Sequence, residues 1–379
     1  MKKFLLGTSA LLVAGFIAGT ANAAPVKLNV GGYANWYTGF VDGNKNFDNG
    51  NGYNHMPVVS DIELAFSGET ALANGLKFGA VVELDTDSDK AEEDQSFVYV
   101  ESAFGKAVIG KMDSISVQMH TGAKDVGMLG LQDSDVGLFI NSYDGLSTDI
   151  RNGLHKQKGI SYISPKAYGF TFAATYTDLV GSGGKGAYVS GIDATNPSAP
   201  TLEMGDYVDN RGDAAYAAVV AYDGKFGAFG VAADAGYARI DNGTARDTED
   251  KAGSDAMNIG AAVSYEGFTF GAAFKYEKED TKAGLLAEKG KTFDVGVAYE
   301  QGPYGVSLSY IYGKDKNEGN TRGNETTTDL LLLSGSYEIT AGVDTFASFG
   351  YTTSEAKKVS GVKTEEKAYV VATGLGLTF

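Results

Sequence analysis

The feature that most constrains the fold is an alternation of large apolar with small or polar side chains, repeated in segments of about ten residues. In one segment, Phe268, Phe270 and Phe274 have one parity, whereas Thr269 and Lys275 have the other. Successive side chains of a strand point to opposite faces, so a period of two predicts a β-strand with one apolar face. The same pattern returns along most of the chain, and we therefore expect an all-β protein.

Sixteen such segments can be counted, and their connections alternate between short and long. Short turns such as 224–225 and 266–267 alternate with long, charged connections such as 113–158 and 179–212. A soluble β-sandwich gives no reason for this order, whereas transmembrane barrels have short periplasmic turns and longer outer loops. The pattern favours a 16-stranded antiparallel transmembrane β-barrel, with strands expected at 27–40, 58–71, 75–85, 96–104, 105–112, 159–166, 169–178, 213–223, 226–240, 255–265, 268–279, 291–300, 304–314, 327–338, 343–353 and 367–379.

The first 23 residues have the pattern of a secretory signal peptide. Two lysines precede an apolar stretch, and Ala21-Asn22-Ala23 forms a small-x-small cleavage site. The apolar stretch is short for a transmembrane anchor and is interrupted by glycine, serine and threonine. We expect residues 1–23 to be removed and 24–379 to form the barrel domain. No later segment resembles a membrane-spanning helix, so a membrane location would require a closed barrel, in which every backbone group is paired.

The composition excludes several classes of function. The chain has 48 Asp and Glu against 31 Lys and Arg, a net charge of −17 that becomes −19 without the two signal-peptide lysines. This charge argues against nucleic acid as a partner, because phosphate binding needs a basic face. The absence of cysteine excludes disulfides and thiolate chemistry.

Catalytic and metal-binding patterns are also missing. The three histidines, His55, His120 and His155, fall in expected loops, and no Gly-x-Ser-x-Gly elbow accompanies them, so we expect no enzyme. The acidic stretch 85–89 resembles the start of a calcium loop but lacks the glycine and glutamate that an EF-hand requires later. We assign no metal ligand and no cofactor.

The side-chain chemistry predicts a water-filled interior. Gly, Ser, Thr, Asn and scattered charges occupy the second face of nearly every segment, whereas the 42 Phe and Tyr suit a lipid-facing surface with aromatic girdles. Sixteen strands leave an aqueous channel, whereas about eight leave an interior that side chains can fill. A secreted adhesin or solenoid would show a fixed repeat period, and none is found.

Three stretches resemble the general porins of Gram-negative outer membranes. The first, 159–172, has a Tyr-x-Ser-Pro turn followed by Gly-Phe, as in the strand pair that follows the family's long third loop. The second, 104–113, resembles the strand that leads into that loop, with Lys111 where the family usually has arginine. The third, 374–379, ends on Phe379 and resembles the signal that the outer-membrane assembly machinery reads.

The resemblance implies a homotrimer of sixteen-stranded barrels in the outer membrane, each with its third loop folded into the lumen. In the family, acids on that loop face bases on the opposite wall. The third long connection here is 113–158, although it lacks the Pro-Glu-Phe-Gly-Gly sequence of the enteric branch. The expected constriction acids are Asp125, Asp133, Asp135 and Asp144, of which Asp133 and Asp135 are nearest the middle of the loop. The expected wall bases are Lys77 and Lys111, which strand phase places inward, and Arg151, Lys156 and Lys158, where the loop returns.

These features predict passive diffusion of ions and small hydrophilic solutes through an outer-membrane channel. Acid-rich loops and a mature charge of −19 favour cations, and divalent cations could bridge the loops to lipopolysaccharide, so that membrane lipid and lipopolysaccharide are expected partners. The alternative is a substrate-specific channel of the same fold, with a binding row in its lumen. Strand phase also places five acids on the lumen side: Asp61, Glu63, Glu83, Asp234 and Asp294.

Overall fold

The fold comes from a computed structural model, which describes residues 26–44, 55–86, 91–132, 134–140, 143, 145–151, 154–178, 188–192, 200–203, 214–241, 251–281, 286–317 and 323–379. The predicted signal peptide lies outside these residues, as do the loop acids Asp133 and Asp144. None of the helices in the described ranges has the length and apolar character that a membrane crossing needs.

Sixteen strands form a closed antiparallel barrel in which neighbours along the chain pair and the first strand pairs with the last. They are β1 (Lys27–Gly43), β2 (Val58–Ala71), β3 (Lys77–Asp85), β4 (Glu92–Ser102), β5 (Gly105–Met112), β6 (Gln157–Ile163), β7 (Phe170–Asp178), β10 (Ala214–Phe226), β11 (Phe229–Asp241), β12 (Lys251–Tyr265), β13 (Phe268–Thr281), β14 (Leu286–Gln301), β15 (Tyr304–Asn317), β16 (Glu325–Thr340), β17 (Val343–Lys357) and β18 (Lys363–Thr378). A separate two-stranded sheet pairs β8 (Tyr188–Ile192) with β9 (Pro200–Glu203) in the connection between β7 and β10.

Each of the sixteen predicted segments corresponds to one barrel strand, which confirms the predicted fold class. The strands are longer than predicted at the long-loop end, because pairing continues into polar residues: β14 begins at Leu286 and β17 reaches Lys357. The β8–β9 hairpin was not predicted.

The short turns use backbone conformations that tight hairpins require. Glu266 and Gly267 link β12 to β13 with φ angles of 46° and 88°. Two consecutive positive φ values are the signature of a type I′ turn, whose twist matches that of the flanking strands. Short turns of this kind lie at one end of the barrel, the end at which β1 begins and β18 ends.

The outer surface of the barrel is apolar. Ile259, Phe270 and Val295 are each 49–60% exposed, although they belong to the middle of strands. Their neighbours in sequence point inward and are small, as with Gly260 and Gly271. Large exposed apolar side chains on a regular outer face are what a lipid-facing surface requires.

The connection between β5 and β6, residues 113–156, turns back into the barrel. It contains helix α1 (Ile115–Met119) and a 3₁₀ helix (Asp135–Leu138), whose caps are the hydroxyls of Ser114 and Ser134. We call this connection the inner loop. It divides the interior into a covered part and an open part, and this division positions the candidate site.

Candidate channel and inner loop

The first half of the inner loop is hydrogen-bonded to inward acids of the barrel wall. The Asp234 carboxylate of β11 accepts from the Thr121 N–H at 2.7 Å and lies 3.2 Å from Nδ1 of His120. The Asp294 carboxylate of β14 accepts from the Ala123 N–H at 2.6 Å and from the Gln132 side chain at 2.7 Å. These two acids satisfy backbone donors that would otherwise be unpaired inside the protein. They therefore anchor the loop rather than line open water.

Asp125 of the inner loop contacts the two strands that follow β14 in the same wall. Its carboxylate accepts hydrogen bonds from Ser307 of β15 at 2.8 Å and Ser334 of β16 at 3.3 Å, and from the Gly127 N–H at 2.8 Å. Burial raises the pKa of Asp125 to about 6, although these hydrogen bonds oppose the shift. Asp125 was predicted as a constriction acid, but its carboxylate faces the wall and not the channel.

Glycines on the wall let the loop backbone approach closely. A Cβ atom on Gly260 would lie 1.7 Å from the carbonyl oxygen of Thr121, and one on Gly271 would lie 2.2 Å from that of Gly122. Neither distance is possible for a real side chain, so this part of the wall must be glycine. Glycines on the inward faces therefore allow the backbone of the inner loop to pack directly against the wall.

Apolar side chains of the inner loop pack against two parts of the wall. Leu129, Phe139 and Ile140 are buried in one cluster with wall residues such as Leu332 and Val370. That cluster covers the inward face of β1 and of β15–β18. A second cluster joins α1 and the end of the loop to β3, β4, β5, β7, β10 and β11; its buried loop members are Ile115, Ile150 and Leu154.

On the inward face of β2, Val59 packs against the first cluster, and the next inward residues are acids. Asp61 and Glu63 are half-buried, and the Tyr33 hydroxyl donates to Asp61 at 3.1 Å and to Glu63 at 3.4 Å. Asp135 of the inner loop adjoins this row, because its carboxylate accepts from the Tyr37 hydroxyl at 3.3 Å. Of the two predicted loop acids that the structure describes, Asp125 and Asp135, the second lies next to the acids of β2.

The acid row continues onto β3 and β4. One carboxylate oxygen of each of Glu63, Glu83 and Asp94 lies within 4.8 Å of the other two. Oxygen ligands of this kind suit hard cations, but the cluster already has a positive charge, because the Lys156 ammonium donates to Asp94. We call Asp61, Glu63, Glu83 and Asp94 the acid row.

Lys156 is the predicted base that faces these acids. Its backbone has a φ of 53°, and its N–H donates to the Met112 carbonyl at 3.0 Å, which returns the chain to β6. Burial lowers the pKa of Lys156, but the hydrogen bond and charge of Asp94 outweigh it, so that the pKa lies above its usual value. Lys156 therefore carries its charge at neutral pH.

Two other predicted bases point away from the lumen. Lys111 pairs in register with Ser96 and Lys158, and all three have the parity of Ile109 and Ile160, which are 58% and 54% exposed on the outer face. The prediction that Lys111 and Lys158 line the pore wall is wrong. Met112 is buried beneath the inner loop. At this strand end the inward side chain is therefore the apolar Met112, and the polar Lys111 points outward.

The remaining predicted bases are in ion pairs away from the acid row. Lys77 points inward as predicted, but it lies beside a short turn and pairs with Glu101 at 3.2 Å. Arg151 donates to both oxygens of the buried Asp149, at 2.8 and 3.0 Å. The charge of Arg151 keeps the pKa of Asp149 below its usual value in spite of burial, which acts in the opposite direction.

Asp94 is the member of the acid row that the sequence reading missed. The sequence pattern predicts a connection at this position, whereas β4 begins at Glu92. The pairing of β3 with β4 shifts between Glu83 and Leu84, which leaves Asp94 as the extra residue of a bulge. A bulge changes the parity, and alternation alone gives no sign of it.

Known structures with the same architecture support this description. OmpT of Vibrio cholerae, solved in a trimer form, aligns with a TM-score of 0.62 at 15% identity, covering 93% of this chain and 99% of that one. An anion-selective porin from Comamonas acidovorans aligns with a TM-score of 0.59 at 14% identity, covering 93% and 100%. At such low identity these likenesses concern the fold.

Sequence comparison identifies the family. An uncharacterized protein of Rickettsia typhi is 22% identical over 428 residues, with 95% of each chain covered. The model of the Gram-negative porin family matches residues 8–357. The chain therefore belongs to the Gram-negative porins and is a channel protein of the outer membrane.

Proposed function

We propose that the protein lets ions and small hydrophilic solutes diffuse passively across the outer membrane and that it prefers cations. The acid row carries this proposal: Asp61 and Glu63 on β2 and Asp94 on β4 are partly exposed beside the inner loop, Glu83 lies buried behind them, and Asp135 adds a further carboxylate. Fixed negative charge around an aqueous passage raises the local concentration of cations and repels anions.

The outer mouth supports the same preference. Glu277 and Glu279 of β13 and Asp315 of β15 belong to the inward face, and they line a pocket of about 320 Å³. The other charged residues of its lining are Asp255, Lys278 and Lys289, so that acids outnumber lysines by four to two. Charges at a wide mouth are screened within about 10 Å at 0.1 M salt. We therefore expect the mouth to steer cations at low salt, and the acid row to dominate at high salt.

The side chains of this chain, rather than its fold, must set the selectivity. The Comamonas structure that shares the fold is described as anion-selective. In this chain, the Lys156 ammonium donates to Asp94 of the acid row, and Arg151 is held by Asp149. The proposed constriction is thus acidic on the wall, with its opposing positive charge on the inner loop.

The protein is proposed to act as a homotrimer, as the trimer form of OmpT indicates for that relative. Phe379 ends the chain beside β1, exchanging backbone hydrogen bonds with Gly32 at 3.0 and 3.1 Å, and its ring is 59% exposed. An exposed terminal aromatic ring is compatible with the proposed signal for the assembly machinery. Membrane lipid and lipopolysaccharide remain its proposed surroundings.

Reconstitution tests the proposal and its alternative. In a planar bilayer we expect steps of conductance that grow in proportion to salt concentration above 1 M. In liposome swelling we expect uptake rates of neutral sugars to fall smoothly with size and not to saturate. Saturation by one class of solute would favour a substrate-specific channel, and absence of conductance and swelling would refute both.

A further inference from the structure

His120 is a buried titratable side chain that ion passage itself does not use. It is the C-cap of helix α1, and its side chain is 6% exposed between the inner loop and the barrel wall. Two wall carboxylates lie on either side of its ring. Asp234 is 3.2 Å from Nδ1, and Asp294 is reached through Thr148, whose hydroxyl oxygen lies 2.8 Å from Nε2. The hydrogen bonds at the two ring nitrogens decide how many protons the ring carries.

The first of these nitrogens, Nε2, must carry a proton. The hydroxyl of Thr148 has one hydrogen and two acceptor positions. Its hydrogen is directed to the Asp294 carboxylate at 2.5 Å, because an ionised carboxylate can only accept, and the Gln132 amide donates to its oxygen at 3.0 Å. One acceptor position of the Thr148 oxygen is left, and Nε2 of His120 fills it as a donor.

The second nitrogen, Nδ1, faces another group that can only accept. Oδ2 of Asp234 lies 3.2 Å from it, while Oδ1 of the same carboxylate accepts from the Thr121 N–H. The amide nitrogen of Asn258 on β12 lies 3.1 Å from Nδ1, and the amide oxygen of Asn258 is buried without a hydrogen-bond partner. When this amide is turned end for end, its oxygen accepts from the same ring N–H. Both ring nitrogens are then donors, which is the imidazolium form of His120.

The charges around His120 favour the same form. Asp234 and Asp294 are only 5% and 2% exposed, and two carboxylates buried without a cation are costly. The other charged groups that face this region form ion pairs of their own, namely Arg151 with Asp149 in the inner loop and Lys275 with Glu277 on β13. The charge of an imidazolium at His120 therefore offsets part of the charge of the two wall acids.

We propose that His120 is held as an imidazolium and positions the inner loop, with one N–H joined to Asp234 of β11 and the other joined, through Thr148, to Asp294 of β14. A neutral ring has one proton and can make only one of these two bonds. The loop should therefore be held most firmly while His120 is protonated, and less firmly as the pH rises. His120 is a positioning residue, because it acts through the loop. The inference concerns the attachment of the loop and does not depend on the proposed cation preference.

Solid-state nitrogen NMR of histidine-labelled protein in lipid tests the protonation directly. The chain has three histidines, so the resonances that disappear in His120→Gln belong to His120. We expect both of its ring nitrogens to be protonated in wild type at pH 7. In Asp234→Asn, which lacks the carboxylate acceptor, we expect one of them to have lost its proton. An unprotonated ring nitrogen in wild type, or a fully protonated ring in Asp234→Asn, would overturn the proposal.

The dependence of stability on pH tests the positioning role. A proton that the folded protein binds more tightly than the unfolded chain stabilises the fold at low pH, and this contribution is lost as the pH rises. The transition temperature of wild type should exceed that of His120→Gln most at pH 6 and least at pH 9. The two proteins share every other titrating group, so the difference isolates His120. The matched control, His55→Gln, removes an exposed histidine and should follow the pH profile of wild type. A difference between wild type and His120→Gln that is the same at every pH would overturn the proposal.

The channel itself gives a third measurement. In a planar bilayer, closing events of wild type should be about tenfold more frequent at pH 9 than at pH 6, which is the effect of losing one hydrogen bond to a charged group. The closing frequency of His120→Gln should change by less than twofold over the same range. Equal frequencies in wild type at the two pH values would overturn the positioning role. Wild type and His120→Gln should both conduct at pH 6, so a failure of the channel and a failure of the proton effect are scored separately.

Discussion

Two regions of the barrel interior have the same strand geometry but different chemistry. The covered wall, formed by the inward faces of β1 and β10–β18, packs against the inner loop, and Leu332 and Val370 there are fully buried. The open wall, the inward face of β2 with its continuation on β3 and β4, keeps Asp61 and Glu63 half-buried. The comparison shows that an inward position does not by itself define a pore-lining residue. What lies over the position decides whether it acts in packing or in permeation.

The two regions use acids in different ways. On the covered wall, Asp234 and Asp294 accept backbone N–H groups of the loop and so replace water. On the open wall, the acid row is partnered by tyrosine hydroxyls and by Lys156. Substitutions in the covered wall should therefore change stability and loop position, whereas substitutions in the open wall should change which ions pass.

The largest effect is expected from Gly260→Ala on the covered wall. The new Cβ would lie 1.7 Å from the Thr121 carbonyl oxygen, so the inner loop must move. Overpacking of this kind costs about 1–3 kcal/mol or more. We expect a lower transition temperature in the heat-dependent gel shift and a change in single-channel conductance of about twofold or more.

Gly335→Ala is the matched control, since the nearest atom to a Cβ there is 3.8 Å away. It should leave both quantities unchanged. A Gly260→Ala variant that matches the Gly335→Ala control would show that the loop does not rest on β12.

Removing a loop anchor should have the next largest effect. Asp294→Ala leaves the Ala123 N–H without its acceptor, at a cost of about 1–3 kcal/mol, whereas the Gln132 side chain keeps Thr148 as an acceptor at 3.0 Å. We expect a lower transition temperature than in wild type, measured by the heat-dependent gel shift. Asp61→Ala, on the open wall, should leave the transition temperature unchanged, and equal decreases in the two variants would remove the distinction between the regions.

Ion selectivity should change only with substitutions in the open wall. Lys156→Gln removes the positive charge beside Asp94, and we expect the cation-to-anion permeability ratio at 0.1 M salt to rise about twofold. Asp61→Asn should lower the ratio. Lys111→Gln is the control, because this lysine is on the outer face, and a shift as large as that of Lys156→Gln would contradict the assigned strand parity.

The smallest effect is a pH dependence from Asp125. Burial raises its pKa to about 6, above the value near 3.9 of an unfolded chain, so the folded protein favours the protonated carboxyl. Ionisation above pH 6 should then cost the folded state about 1–3 kcal/mol, a cost that disappears as the pH falls from 6 to 4. The transition temperature of wild type, relative to that of Asp125→Asn, should rise between pH 7 and pH 5. Parallel curves for the two proteins would show that Asp125 does not cause the pH dependence.

The sequence predicted the barrel because lipid imposes a regular outer face on every strand. Segments such as 268–279 show it without interruption, and the short turns separate the segments clearly. It also placed Asp234 and Asp294 on the inward face, although not their role as anchors. That role depends on the path of the inner loop, which contacts residues far away in sequence.

The errors occurred where the loop covers the wall. Side-chain polarity distinguishes the inward face of a strand from its lipid face only where the inward face contacts water. Beneath the inner loop, both faces of a strand are apolar. Met112 is an example: its burial against the loop reversed the reading of Lys111. For Asp94 the cause was a bulge, and for Asp125 it was a carboxylate that the loop turns toward serines of the wall.

The most direct test of the central claim is the reversal potential of wild type in a planar bilayer with a tenfold gradient of potassium chloride. The two ions have almost the same mobility in water, so the sign reports the charge that lines the channel. We predict the sign of a cation-preferring channel, decreasing in magnitude in the double variant Asp61→Asn, Glu63→Gln. A reversal potential of anionic sign in wild type would contradict the account.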